Sequence, residues 1–378
     1  MDWILWIEWI VKGFVLCLLL LTGFAYLTLY ERRALARIQV RVGPNRAGPQ
    51  GVLQPIADAV KLIFKEELTP AKAYKAIFLM APILTVVPSL IIAAVIPLGS
   101  SFTLFGRVIH LYVADINVGV LYLTSIASIA VYGIVLAGWS SNNKYAMLGG
   151  LRSSAQMISY ELSLGLCFVI AILLGDSMNL NEIVTAQKDM WFAVVQPVGA
   201  LAFLIVTLAE VNRAPFDMPE AEQELTAGYH AEYSGMKFAL FFMAEYQKMI
   251  VISMIAATLF FGGYREFWFL KDTIFRVDRY WFLGPVYLFL KVVVLLFFMI
   301  WVRETWPRIR YDRLMAFGWK VLLPLTLILA FITAAGILLA EMSNPFYYWG
   351  IPVLSVFISL VAVVLIYREL RRKSHGRV

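Results

Sequence analysis

The sequence predicts an all-α fold: a polytopic transmembrane helical bundle of about nine spans, with one amphipathic surface helix. Three observations carry that prediction. Of 378 residues, 61% are hydrophobic and the mean hydropathy is +0.78, more apolar surface than a water-soluble core of this length holds. The apolar residues gather into runs near the roughly 20 residues that cross a bilayer. The basic residues between the runs fall mainly on alternate connections. The chain therefore reads as a single integral membrane domain over 1–378. Its core is 1–341, with an additional span and basic tail at 348–378.

In order, the spans are 4–29, 77–98, 117–139, 154–175, 190–209, 238–262, 284–302, 320–341 and 348–367. The first is too long and too apolar for a cleaved signal peptide, and no small-residue cleavage site stands out. With the amino terminus outside, the inner connections are 31–76, 140–153, 210–237, 303–320 and 368–378. They hold 23 of the 32 Lys and Arg, against seven in the outer connections. That asymmetry predicts a cytoplasmic carboxyl terminus. Anionic headgroups beside these basic loops account for the net charge of +7, so no nucleic acid is needed to explain it.

Composition also narrows the chemistry. Cys17 and Cys167 lie inside apolar runs, and His110, His230 and His375 are scattered. No CxxC, GxGxxG or phosphate-loop sequence occurs, so neither a metal site nor a disulfide framework is indicated. Nicotinamide, flavin or iron–sulfur chemistry then belongs on other chains.

The first inner connection opens with turns at Gly43, Pro44, Gly48, Pro49 and Gly51. Beyond them Leu53, Ile56, Ala57, Val60, Ile63 and Phe64 recur at helical spacing, with Asp58, Lys61 and Lys65 opposite. The pattern predicts an amphipathic helix over 53–65, serving as an interfacial anchor or as a wall beneath a partner.

The densest chemistry lies between Glu210 and Glu245. Seven carboxylates (Glu210, Asp217, Glu220, Glu222, Glu224, Glu232 and Glu245) stand there with only Arg213 and Lys237 as Lys or Arg. On a helix Glu220 and Glu224 share a face and Glu222 points elsewhere. Crowded carboxylates repel, so some hold protons near neutral pH. The stretch is either a proton-handling device or a solvated acidic loop. Charges inside spans add Glu161, Glu245, Lys248 and Lys291, which are costly at membrane depth unless they face protein or water. Lys248 lies three residues beyond Glu245, a spacing that predicts a pair on one helical face. Arg213 and Asp217, four apart in NRAPFD, predict a second pair, although Pro215 opposes a regular helix between them.

Two long stretches, ERRALARIQVRVGPNRAGPQGVLQPIADAVKLIFKEE and EVNRAPFDMPEAEQELTAGYHAEYSGMKFALFFMAEY, resemble the H-type, quinone-module membrane component of respiratory complex I. The resemblance spans roughly residues 5–340. It implies a membrane subunit of a proton-translocating NADH:quinone oxidoreductase in a bacterial inner membrane or a related organelle membrane. It implies no catalytic residue or redox centre on this chain alone: quinone is the substrate, and NADH, FMN and iron–sulfur clusters sit on partner subunits. The implied partners are the peripheral-arm quinone-site subunits and the membrane-arm subunits. By position, it places Arg32, Arg41, Ile56, Asp58, Phe64 and Arg213 around the quinone chamber. It places Glu210, Asp217, Glu220, Glu222, Glu224 and Glu232 beneath that chamber, and Glu161 and Glu245, with Lys248, on a buried acidic path. The ninth span exceeds the eight of the family core.

Two rivals remain at this point. A homologous membrane subunit of a ferredoxin-linked complex or energy-converting hydrogenase shares the architecture. A stand-alone ion transporter predicts inverted repeats, and the 210–245 pattern does not recur.

Overall fold

In the computed structural model, residues 3–104, 107–217, 227–267, 277, 280–340, 350–357 and 360–361 are described. Glu220, Glu222, Glu224 and the basic tail fall outside them. The regular secondary structure of the described residues is helical apart from one small hairpin. Helix α1 (Trp3–Ile38) is followed by the short surface helix α2 (Gln54–Ile63) and by α3 (Lys75–Ile92). Strands β1 (Phe102–Leu104) and β2 (Arg107–Ile109) pair antiparallel, Phe102 opposite Ile109. Then come α4 (Gly119–Ser140), α5 (Lys144–Gly175), α6 (Leu180–Ala186), α7 (Phe192–Val195) and α8 (Pro197–Glu210). The series ends with α9 (Gly235–Phe260), α10 (Leu283–Thr305), α11 (Tyr311–Phe317) and α12 (Leu323–Ala340), with a π-helical turn at Gly318–Leu322 joining the last two.

Seven helices among the described residues are long and apolar enough to cross a membrane, and 350–357 are helical within the ninth predicted span. The hairpin is a small departure from the all-helical expectation. The fifth span differs more. It breaks at Gln196, whose φ of −132° and ψ of 71° are non-helical, and restarts at Pro197. Proline pushes its preceding residue out of the α region and favours the first helical position itself. The 14 residues of α8 reach only about 21 Å, short of the roughly 30 Å hydrocarbon core.

Close approach of small residues packs the bundle, since lipid gives no hydrophobic drive between helices. A Cβ on Gly133 of α4 would lie 2.5 Å from Thr85 Cγ2 and 2.9 Å from Ala81 O, so glycine lets α4 lie on α3. Pro82 and Pro88 interrupt the hydrogen-bond ladder of α3. The hydroxyl of Thr85 donates to Pro82 O at 2.7 Å and that of Ser89 to Val86 O at 2.7 Å. Helix α5 runs through the middle, against α4, α8 and α12. Asn143 caps its start, accepting from Tyr145 N at 3.0 Å.

Candidate functional site

The site is built where α8 ends and the chain turns back toward α9. Asn212 and Arg213, polar residues only 4% and 5% exposed, follow α8 into the interior. Helix α5 holds this turn through Gln156 and Ser153. The amide nitrogen of Gln156, fully buried, lies within hydrogen-bond distance of Ala209 O (3.0 Å), Asn212 Oδ1 (3.1 Å) and Phe216 O (2.9 Å), which its two N–H groups share. Asn212 Nδ2 in turn donates to Ser153 Oγ at 2.8 Å. Backbone groups that leave a helix inside a membrane protein need such partners.

Arg213 is the hub. Its Nη1 lies 3.1 Å from Glu31 Oε1 on α1, and its Nε lies 2.7 Å from Glu245 Oε1 on α9. The guanidinium also covers the Tyr246 ring, 4.5 Å from its centroid. Glu31 is 2% exposed and receives a second guanidinium, Arg303 of α10. Two carboxylates and two guanidiniums thus join α1, the post-α8 turn, α9 and α10. Each carboxylate of the two expected pairs also meets a guanidinium from farther along the chain. Glu245 is bridged by Arg213, a residue distant in sequence, while Lys248 lines the adjoining cavity. Asp217 is bridged by Arg308, 3.2 Å away, while its neighbour Arg213 turns to Glu31 and Glu245. Burial raises the Asp217 carboxyl above its usual range, against the pull of Arg308 and Arg213.

One turn along α9 from Glu245, Lys248 faces a second cluster. Glu161 of α5, Glu210 of α8 and Lys248 line a narrow cavity of about 50 Å³, closed mainly by Leu123, Phe168 and Ile252. That is room for water among walls that are otherwise apolar apart from Ser89 and Thr124. Ser128 of α4 donates to Glu161. One carboxylate oxygen of Glu210 has no hydrogen-bond partner among the described residues. Ser89 also lines the cavity, its Oγ 2.8 Å from the Gln247 side-chain amide. The arrangement gives two largely enclosed acid–base clusters, carried by successive inner turns of α9.

Glu232 lies elsewhere, at the start of α5, accepting from Asn143 Nδ2 at 2.7 Å. Near it, the His230 imidazole is packed by Tyr229 (3.8 Å between centroids), Phe241 and Phe238. Burial pushes its pKa down to about 3, so it is neutral at physiological pH.

Residues 11–334 match the family described as NADH dehydrogenase. The chain belongs to that family. It is 50% identical over 338 residues to the NADH-quinone oxidoreductase H subunit of Thermomicrobium roseum, covering 87% of this chain and 95% of that protein. It is likewise 50% identical over 314 residues to one of two such H subunits of Geobacter metallireducens, 83% of this chain and 91% of the relative. Against the H subunit of Rhodospirillum rubrum the identity is 48% over 324 residues, 85% and 92% of the two chains.

In this NADH dehydrogenase family member the amphipathic helix forms as α2, 54–63, close to the expected 53–65. None of its residues is buried in the chain, and Ile56 (57% exposed) and Phe64 (85%) present its apolar side outward. Asp58 anchors the polar side, 2.7 Å from Arg32 of α1 and 3.0 Å from Gln54 Nε2. Arg41 lies just past α1 and donates to Gln39 Oε1 at 2.7 Å. Of the residues assigned to the chamber, Arg32 and Asp58 meet, whereas Arg213 lies in the buried ion cluster. Glu31, Arg303, Arg308 and Gln156 are neighbours of the expected site residues that sequence reasoning misses. Their partners are 53 to 272 positions away, and local spacing carries no signal of them.

Proposed function

We propose that this chain is the membrane subunit through which a proton-translocating NADH:quinone oxidoreductase couples quinone reduction to proton movement. The observation that carries the reading is the double cluster. The Glu31–Arg213–Glu245–Arg303 group sits at the root of the acidic connection, and the Glu161–Glu210–Lys248 cavity lies one helical turn farther along α9. The relatives' names point to the same reaction. In this reading quinone is bound against the first inner connection, with Arg32, Arg41 and Asp58 near its head and Ile56 and Phe64 along its tail. Arg213 holds the adjoining turn. NADH, FMN and the iron–sulfur clusters reside on peripheral-arm subunits that dock on the same side, and the membrane-arm subunits receive the output.

Quinone reduction consumes protons and changes local charge at the acidic connection (Glu210, Asp217, Glu220, Glu222, Glu224 and Glu232). Arg213, already shared between Glu31 and Glu245, redistributes toward whichever carboxylate stays ionised. Protonation of Glu245 then frees Arg213 for Glu31 and changes the field at Lys248 and Glu161. A charge biases such an element only when its two arrangements interact with that charge differently, and a shared guanidinium meets that condition. The membrane is a bacterial inner membrane, with the amino terminus outside and the carboxyl terminus cytoplasmic.

Mild-detergent purification tests the assignment: the chain copurifies with iron–sulfur subunits that oxidise NADH. Recovery as an isolated, functional ion transporter would overturn it, and a ferredoxin- or hydrogen-linked partner set would replace the donor. In the assembled complex, Glu245→Gln lowers quinone reduction and proton pumping together. Normal rate and normal proton-to-electron ratio in an assembled mutant would remove Glu245 from the relay.

A further inference from the structure

Two open recesses lie side by side at the end of the bundle that carries α2, sharing Pro70 and Ala71 in their walls. The first, about 430 Å³, is lined by Thr69, Lys75, Leu79 and Lys237. The second, about 530 Å³, carries Lys72, Lys144, Asn143 and Glu232. Four ammonium groups thus surround one turn of chain at the starts of α3, α5 and α9. Two carboxylates stand among them. Glu67 lies 3.3 Å from Lys237, and Glu232 is held by Asn143, so the balance stays positive. Lys237 is not a waving surface lysine: its side chain is 12% exposed, and its Nζ also meets Thr69 Oγ1 at 3.2 Å.

The surroundings mark the depth of this cluster in a bilayer. Tyr74 stacks flat on Trp139, 4.9 Å between centroids and 2° between planes, while Lys144 sits over the ring of Tyr145. All three aromatic rings belong to exposed residues, and amphipathic rings of this kind gather at headgroup level. Directly along α3 from Lys75 runs a stripe of exposed apolar residues at four-residue spacing: Leu79, Ile83, Val87 and Ile91. Residues four apart lie on one helix face. From Leu79 to Ile91 the stripe is about 18 Å long, close to the thickness of one leaflet's hydrocarbon.

We propose that the Lys75–Lys237–Thr69 recess binds the phosphate of an acidic phospholipid whose acyl chain lies along Leu79, Ile83 and Val87. A phosphate offers oxygens to two ammonium groups and a hydroxyl at once, and the lipid's net negative charge matches the surplus of lysines. A zwitterionic headgroup brings its own cation into the same recess and loses that match. The site lies apart from both acidic clusters and does not depend on the redox reading.

The test is native mass spectrometry of the full-length chain in detergent, titrated with phosphatidylglycerol or phosphatidylcholine. Two lysines, each contributing about a fivefold preference at a membrane surface, give phosphatidylglycerol an advantage of about 25-fold. Lys75→Gln with Lys237→Gln abolishes the preference, whereas the paired Lys→Arg variant retains it and shows that charge, not folding, is read out. Ile83→Asn weakens retention of both lipids. Equal retention of the two lipids by the unaltered chain would overturn the proposal. So would an unchanged preference in the glutamine variant, or displacement of the lipid by millimolar inorganic phosphate. Capture of a partner protein by a photo-crosslinker at position 75 in native membranes would also overturn it, making the recess an interface.

Discussion

Glu31 offers the sharpest test of the buried ion cluster. Its carboxylate is 2% exposed and faces two guanidiniums, those of Arg213 and Arg303. Glu31→Gln keeps the shape and removes the charge, leaving both cations beside a neutral amide. Breaking a buried pair by removing one partner typically costs about 3–5 kcal/mol. Two features of this site pull the figure to the low end: Arg213 keeps Glu245 at 2.7 Å, and Arg303, 34% exposed, is partly solvated. The expected loss is therefore about 3 kcal/mol. Arg303→Gln removes the more exposed partner and leaves Glu31 paired with Arg213, so its loss is about 1 kcal/mol, in the range of partly solvated ion pairs. At roughly 2 °C per kcal/mol for a large domain, the melting temperature of the purified chain falls by about 6 °C and 2 °C respectively. The double variant costs less than the sum, because both substitutions act on one contact. Equal melting temperatures for Glu31→Gln and the unaltered chain would refute the cluster, and so would a larger loss from Arg303→Gln.

Three further outcomes follow from the same geometry. Gly149→Ala places a Cβ 2.6 Å from Gly228 Cα, a backbone atom that cannot rotate away, so the 228–230 turn shifts off α5 at a cost of about 1–3 kcal/mol; increased protease cleavage between 227 and 235 reports it. His230, held neutral with its pKa down to about 3 against 6.5 when unfolded, makes the unfolded chain bind more protons between those values. Stability therefore falls as pH drops from 6.5 toward 3, and His230→Asn flattens that part of a melting-temperature profile. On α2, Ile56→Glu with Phe64→Glu leaves the chain's own packing intact, because neither side chain is buried. It weakens quinone affinity and inhibitor sensitivity in the assembled complex, and unchanged values of both would reduce α2 to an anchor.

The spans are legible in the sequence because hydrocarbon thickness imposes a length and a composition that any window along the chain detects. The surface helix is legible for a related reason: Leu53, Ile56, Val60 and Phe64 repeat locally. Ion pairing is not. Spacing rules see only three or four residues ahead, so they offer Lys248 to Glu245 and Arg213 to Asp217. The bridging partners approach from other segments, Glu31 from 182 positions before Arg213 and Arg308 from 91 positions after Asp217. In sequence Arg303 is just one more inner positive charge, although its guanidinium turns back to Glu31. The break in the fifth span does have a signal. Gln196–Pro197 within an apolar run is a helix restart, and the smooth hydropathy of 190–209 conceals it.

That restart sets a depth. A helix that begins late and ends after 14 residues works as a ruler too short for the slab it is laid across. Its last rung, Glu210, is consequently parked inside, and the polypeptide that follows must descend to meet it. Adding one helical turn to α8 would raise that carboxylate by about 5.4 Å, toward the headgroups. Glu210 would then leave Lys248 and Glu161, and Gln156 would lose the three groups it binds. The chemistry of this region is thus set by a missing length of helix as much as by the identity of the acids at its end.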